Sequence, residues 1–197
     1  MNKRIVYRVT IISVLVIILF IAATMVIDRA HESKKEIPVL GQVQPFGFIN
    51  QDGVPFGLDQ LKGKFSVVDF MFTRCHGPCP IMSDYMAHLY RKYESSPDIQ
   101  FVSISVDPEN DSLSVLKNYA VEKGVTDSRW NFLRGEIEDV KDLSENSFLL
   151  AADDLPGYHS IKFVLLDKNA QIRGYYTGTE ALSIEHLKED LKQLAGE

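Results

Sequence analysis

Cysteine is scarce in this chain of 197 residues, which holds two, Cys75 and Cys79, and a single Trp. With no second Cys pair, a four-cysteine structural zinc site is excluded. A purely stabilising disulfide fits poorly, because so short a loop constrains little unfolded-chain entropy. Positive charge is also short: 21 Lys and Arg face 27 Asp and Glu, for a formal net charge of −6. Residues 1–35 carry six Lys/Arg against two Asp/Glu, so the remainder stands at about −10. A domain that acidic is unsuited to nucleic acid, whose phosphates demand positive charge. There is no internal repeat and no low-complexity tract.

What the first residues do have is a long apolar run. From Val9 to Ile27 only Thr10, Ser13 and Thr24 interrupt it, close to the ~20 residues that cross a bilayer core. Lys3, Arg4 and Arg8 precede it, yet the run is longer than the ~7–15 residues of a cleavable signal's core, and Ala22-Ala23-Thr24 is a poor cleavage match. We read an uncleaved single-pass signal anchor. Lys and Arg are balanced on its two sides (Arg29, Lys34 and Lys35 follow), so the positive-inside rule is nearly tied. The short N-terminal tail places the domain on the far side, outside the cytoplasm. No Cys follows the run, which excludes a cysteine-linked lipid anchor there.

The expected organisation is an anchor over 1–30, a polar linker over 31–41 and one domain over 42–197, about 160 residues being enough for one well-buried core. Gln51-Asp52-Gly53 between apolar arms predicts a hairpin. Strands are expected over Phe65–Phe72, Ile99–Val106, Trp130–Leu133, Ile161–Asp167 and Ile172–Thr177, the last two as a hairpin around Lys168-Asn169. Helices are expected over Pro80–Tyr93, Leu113–Lys123, Glu136–Leu150 and Ile184–Leu194. This alternation predicts an α/β domain with a mixed sheet flanked by helices, in the chain order of thioredoxin-like folds.

Both cysteines lie in Cys75-His76-Gly77-Pro78-Cys79-Pro80, between a buried strand and a helix. A four-residue spacing at a helix mouth turns both sulfurs toward one spot. The helix N-terminus is expected to favour thiolates and lower thiol pKa. Pro80 near the helix start sacrifices no needed donor, and Pro78 stiffens the loop. Two thiolates suit Cu(I) or Zn(II) but leave a coordination shell incomplete; alternatively they form a redox-active disulfide, although thiol oxidoreductases typically have two intervening residues rather than three. His159, on the loop entering the strand Ile161–Asp167, is the candidate third ligand, because in a thioredoxin-like sheet that loop lies against the dithiol turn.

The run Asp69-Phe-Met-Phe-Thr73-Arg-Cys75-x-x-x-Cys79-Pro80 resembles the signature of the Sco/SenC family of membrane-anchored copper-binding proteins. Ser103-Ile-Ser-Val-Asp107-Pro108-Glu-Asn-Asp111, Val115–Ala120 and Tyr158-His159-Ser160 resemble its middle and histidine segments, and the likeness runs from about Gln42 to the C-terminus. The resemblance implies a thioredoxin-like fold, copper as Cu(I) or Cu(II) held by Cys75, Cys79 and His159, and assistance in assembling the CuA centre of cytochrome c oxidase. It implies a metal-binding chaperone, with thiol-disulfide reductase activity of the same sulfurs left open, in the cell inner membrane, with its domain facing the periplasm or extracytoplasmic side. Its partners would be the copper-bearing oxidase subunit or another copper chaperone.

Two positions depart from the family pattern. His76 stands where Pro is usual and is expected to be exposed. Tyr158 stands where many members carry Asp, which puts support of the imidazole by a carboxylate in doubt. Met82 and Met86 share a helical face and read as core. Asp107 and Asp111 read as turn and capping residues, and His31, His88 and His186 as surface. The main rival is a thiol–disulfide oxidoreductase that reduces a partner's cysteines. Such enzymes place a cis proline immediately before the strand facing the dithiol, whereas here His159-Ser160 holds that place and Pro156 lies upstream. A peroxide-consuming enzyme lacks its proline-rich pattern around Thr73-Arg74, and a copper sensor is not separated from a copper donor by sequence.

Overall fold

Sequence runs that can be buried on both faces set the centre of the sheet. The computed structural model describes residues 3–32, 36–153, 155–157 and 159–196, and within the first helix the side chains at 4, 7, 8 and 11–25. Residues 33–35, Tyr158 and the side chains of Asp28, Arg29, His31 and Glu32, which entered the sequence reading, lie outside the described residues. The chain divides into two compact units, 1–36 and 37–197.

The first unit is one helix, α1 (Lys3–Glu32). Its described side chains over 11–25 are exposed, except half-buried Thr24. Among the described residues, no helix is long and apolar enough to cross a membrane.

In the second unit, β1 (Gly41–Gln42) leads to the expected hairpin of β2 (Gly47–Asn50) and β3 (Pro55–Gly57), then the single turn α2 (Leu58–Leu61). Gly53 turns that hairpin at φ 77°, in the left-handed region that glycine enters freely. Then come β4 (Phe65–Met71), α3 (Cys79–Lys92), β5 (Ile99–Ser105), α4 (Leu113–Glu122), β6 (Trp130–Arg134) and α5 (Ile137–Asp142), which continues as a π-helical turn over Leu143–Ser147. The hairpin of β7 (Lys162–Leu166) and β8 (Gln171–Thr177) and the helix α6 (Ala181–Ala195) complete it.

The strands form one mixed sheet, ordered β1-β8-β7-β4-β5-β6-β2-β3. β4 pairs parallel with β5 and antiparallel with β7, and β5 pairs parallel with β6. Every residue of β4 and β5 is buried, as central strands covered on both faces require. Alternation then divides the core. Val67, Met71, Phe101 and Phe132 pack on one face with Met82, Met86, Leu116, Ile184 and Leu187. Val68, Phe70, Val102 and Ile104 pack on the other with Phe48, Val140 and Phe148. The expected thioredoxin-like α/β architecture is therefore present, with β1 and α2 added.

Candidate metal centre

Because β4 and β7 are antiparallel neighbours, the residues leaving β4 meet those entering β7. The pairing Ser66–Leu166, Val67–Leu165, Val68–Val164, continued outward, brings Phe72 opposite Ser160. The dithiol loop and His159 are thereby joined across 80 residues of sequence. Phe72 meets the imidazole edge-on, at 5.6 Å between ring centres and 83° between planes.

Cys79 opens α3, with Pro78 as its N-cap and Pro80 in the first turn, where a missing N–H costs nothing. Its side chain is buried, 1% exposed, whereas Cys75 in the loop is half-buried. Both thiols are free. The two sulfurs and a ring nitrogen of His159 lie within 4.8 Å of one another. Nε2 of His159 is 3.5 Å from Cys79 Sγ, and Nδ1 is 3.1 Å from the carbonyl oxygen of Ser160. A carbonyl only accepts, so Nδ1 carries the proton and Nε2 presents its lone pair to the sulfurs. Ser160 thus orients the ring.

Burial governs the electrostatics. It pushes the Cys79 thiol well above its ordinary value, and its hydrogen bond with Cys75 acts in the same direction. This corrects the expectation of a pair of ready thiolates: desolvation of Cys79 outweighs the helix terminus. Burial also lowers the pKa of His159, keeping the imidazole neutral and able to donate to a metal.

Asp69, in the middle of β4, has a role that sequence reasoning missed. It shares the Val67–Met71 face, under α3. It is 1% exposed, and its Oδ1 has no hydrogen-bond partner. Burial pushes its carboxyl up to about 7, against a hydrogen bond from Ser103. When ionised, Asp69 further opposes ionisation of Cys79. A charged residue flanked by Val67, Val68, Phe70 and Met71 was the available signal.

The other expectations sort cleanly. His76, His88 and His186 are exposed. Met82 and Met86 are core residues, as expected, at 1% and 0% exposure. The side chain that caps α4 is Ser112, so capping does not account for the wholly buried Asp111. The Leu155–Pro156 peptide is cis.

Ligand atoms about 2.0–2.3 Å from a shared ion lie about 3.5–4 Å apart in a trigonal arrangement, so the observed spacing needs little adjustment. Two sulfurs and one imidazole are a donor set for soft and borderline metals. Comparison with known proteins agrees with this chemistry. A family model described as SCO1/SenC matches residues 36–196. The crystal structure of a SCO1/SenC family lipoprotein from Bacillus anthracis is 38% identical, with TM-score 0.74 over 80% of this chain and 97% of that one. BsSco, described as a member of the Sco family of cytochrome c oxidase assembly proteins with a disulfide switch, is 30% identical, with TM-score 0.73 over 83% and 98%. Yeast Sco1 with copper bound is 26% identical, with TM-score 0.60 over 79% and 90%. A dithiol and a histidine gathered at the end of β4, on this sheet and with this match over nearly the whole second unit, make the chain a member of the SCO1/SenC family.

Proposed function

We propose that the protein is a membrane-anchored copper metallochaperone that holds one copper ion between Cys75, Cys79 and His159 and assists assembly of the CuA centre of a cytochrome c oxidase. The observation that carries this reading is the convergence of the three donor atoms within 4.8 Å, with the Nε2 lone pair of His159 directed at Cys79. Copper is the cargo. Two thiolates favour Cu(I) and the imidazole also accommodates Cu(II), so one site serves both oxidation states. The half-buried Cys75 and His159 are the side from which a partner reaches the metal, while Cys79 holds it from the buried side. That partner is the copper-bearing oxidase subunit or another copper chaperone.

The anchor is residues 9–27, in the inner membrane, with the domain on the extracytoplasmic side. An apolar helix exposed around its circumference, as over Ile11–Met25, is suited to lipid rather than to water. Anaerobic and aerobic copper titration of the full chain in detergent, read by absorption and electron paramagnetic resonance, tests the whole reading. One copper per chain and a thiolate-to-Cu(II) charge-transfer band are expected, with binding much weakened in His159→Ala. Unchanged stoichiometry and spectra in that variant would sink the ligand assignment.

A second reading uses the same sulfurs. Two free thiols within 4.8 Å need a closure of under about 3 Å to reach a disulfide's 2.05 Å. In this reading Cys75 attacks a partner's disulfide, Cys79 resolves the mixed disulfide, and two electrons pass to the partner, which leaves as a dithiol. Fast turnover of a disulfide substrate without copper retention would select it.

A further inference from the structure

The loop between β5 and α4 is bonded to the approach to the dithiol, and one buried carboxylate does most of this. Val106 donates its N–H to the Met71 carbonyl at 2.9 Å, extending the β4–β5 pairing by one step. Beyond it, Asp111 takes over. Its Oδ1 accepts the Thr73 hydroxyl at 2.5 Å, and its Oδ2 accepts the Thr73 backbone N–H at 3.2 Å and the Ser105 hydroxyl at 2.6 Å. Asp111 is 0% exposed, and its two oxygens accept all of these bonds, so the donors are drawn inward to one point. Asp107 adds an outer contact, with Arg74 Nη2 3.4 Å from its Oδ2.

Two residues after Thr73 comes Cys75. It lies in the dithiol loop, whereas Cys79 is fixed by the packing of α3, and His159, on its own loop, by Ser160 and Phe72. The hydrogen bonds of Cys75 run from its N–H to Phe72 O, from Gly77 N–H to its sulfur, and between its thiol and that of Cys79. None of them ties its backbone to another strand, so its place in the site also depends on where Thr73 is held. Ser112 caps α4 with its own hydroxyl, which leaves the Asp111 side chain free for this task.

We infer that Asp111, acting through Thr73, is a positioning residue for Cys75, and that it sets how tightly and how long the site retains copper. The inference rests on the copper reading above. Loss of a group that orients a metal ligand typically costs 10–100-fold in affinity.

The test is carried out on the full chain in detergent, with Asp111→Asn and Thr73→Val as disrupting variants and Thr73→Ser as the conservative one. Both disrupting variants should still bind one copper, shift the thiolate-to-Cu(II) band and its paramagnetic resonance parameters, and release copper to a chelator about 10-fold faster or more. Thr73→Ser, which keeps the hydroxyl, should behave as the unaltered protein. Gly57→Ala, whose new methyl would lie 2.4 Å from the Phe46 carbonyl oxygen on the edge strand β3, four strands from β4, controls for lost stability, since it should lower the melting temperature without moving the spectrum. If the unaltered protein binds copper and both disrupting variants keep its spectrum and release rate, the inference is overturned. If Gly57→Ala shifts the spectrum equally, general destabilisation explains the effect and the inference is likewise overturned. If the unaltered protein binds no copper, the underlying reading fails first.

Discussion

The Nε2 of His159 lies 3.5 Å from the Sγ of Cys79, and burial shifts the two groups in opposite directions, the thiol up and the imidazole down. Both shifts favour the uncharged form of these two groups while no metal is bound. The consequences for metal binding differ. At neutral pH the imidazole is already deprotonated, so it releases no proton when it binds. Cys79 still carries its proton, which a metal must displace. Copper affinity should therefore rise with pH between 6 and 8, about tenfold per unit for each proton displaced. Competition with a chelator of known pH dependence measures this, together with proton release into weak buffer. An affinity independent of pH over that range would show that the thiol is ionised before copper arrives.

Asp69 makes a separate prediction about stability. Its carboxyl is raised from 3.8 to about 7 by burial in the folded chain. Between those values the folded state holds a proton that the unfolded state has released, so this group's contribution falls as pH rises from about 4 to about 7. Asp69→Asn is close in shape and carries no charge. Urea unfolding at pH 5 and pH 8 should show a loss of stability in the unaltered protein that is much reduced in the variant. Equal losses in both would place the pH dependence elsewhere.

These two groups also mark where the sequence stops being informative. The central strands are legible because Phe65–Met71 and Ile99–Ser105 carry enough β-branched and aromatic residues to be buried on both faces. The hairpins are legible from Asp52-Gly53 and Lys168-Asn169. The dithiol and His159 are legible because a thioredoxin-like chain order predicts which loops meet. Cys79's ionisation was misjudged because a helix N-terminus is a local pattern, whereas the desolvation that overrides it comes from Met82, Phe163 and other residues of the surrounding core. Asp111 does close the expected turn, its N–H on the Asp107 carbonyl, but the task of its side chain was hidden for the same reason: Thr73 is 38 positions away. β1 was missed because two residues carry no periodicity. Gly41 and Gln42 become a strand through pairing with Ile172 and Gln171.

Gly178 gives a prediction about packing behind the site. It donates its N–H to the Ile161 carbonyl, where β8 ends beside the strand that His159 leads into. A methyl placed there would lie 2.8 Å and 2.9 Å from Met82 Cε and Cγ, and 3.2 Å from that carbonyl. Met82 is 1% exposed, one turn into the helix that Cys79 opens, and has no room to retreat. Gly178→Ala should cost about 1–3 kcal/mol, measured by denaturant unfolding. A variant as stable as the parent would mean that α3 can move outward, and copper retention would then be expected to change instead.

The last prediction concerns where the folded unit begins. Arg173 on β8 reaches back to the segment after the first unit, giving Nε to the Pro38 carbonyl at 3.1 Å and Nη2 to that of Ile37. Its Nη1 pairs with the buried Asp167 at 2.8 Å. Leu40 adds a backbone bond to Ile172 at 2.7 Å, and β1 continues this edge. A chain beginning at Ile37 keeps all of these contacts and should match the full chain's domain in melting temperature. One beginning at Val43 loses them, leaving Arg173 with Asp167 alone. A loss of about 1–3 kcal/mol is expected from the forfeited hydrogen bonds, or roughly 2–12 °C for a domain of this size. The same pair tests the anchor: the full chain should sediment with membranes and resist extraction by salt, and both truncations should remain in the supernatant. Recovery of the full chain in the supernatant would remove the membrane from the proposed function while leaving the metal site intact.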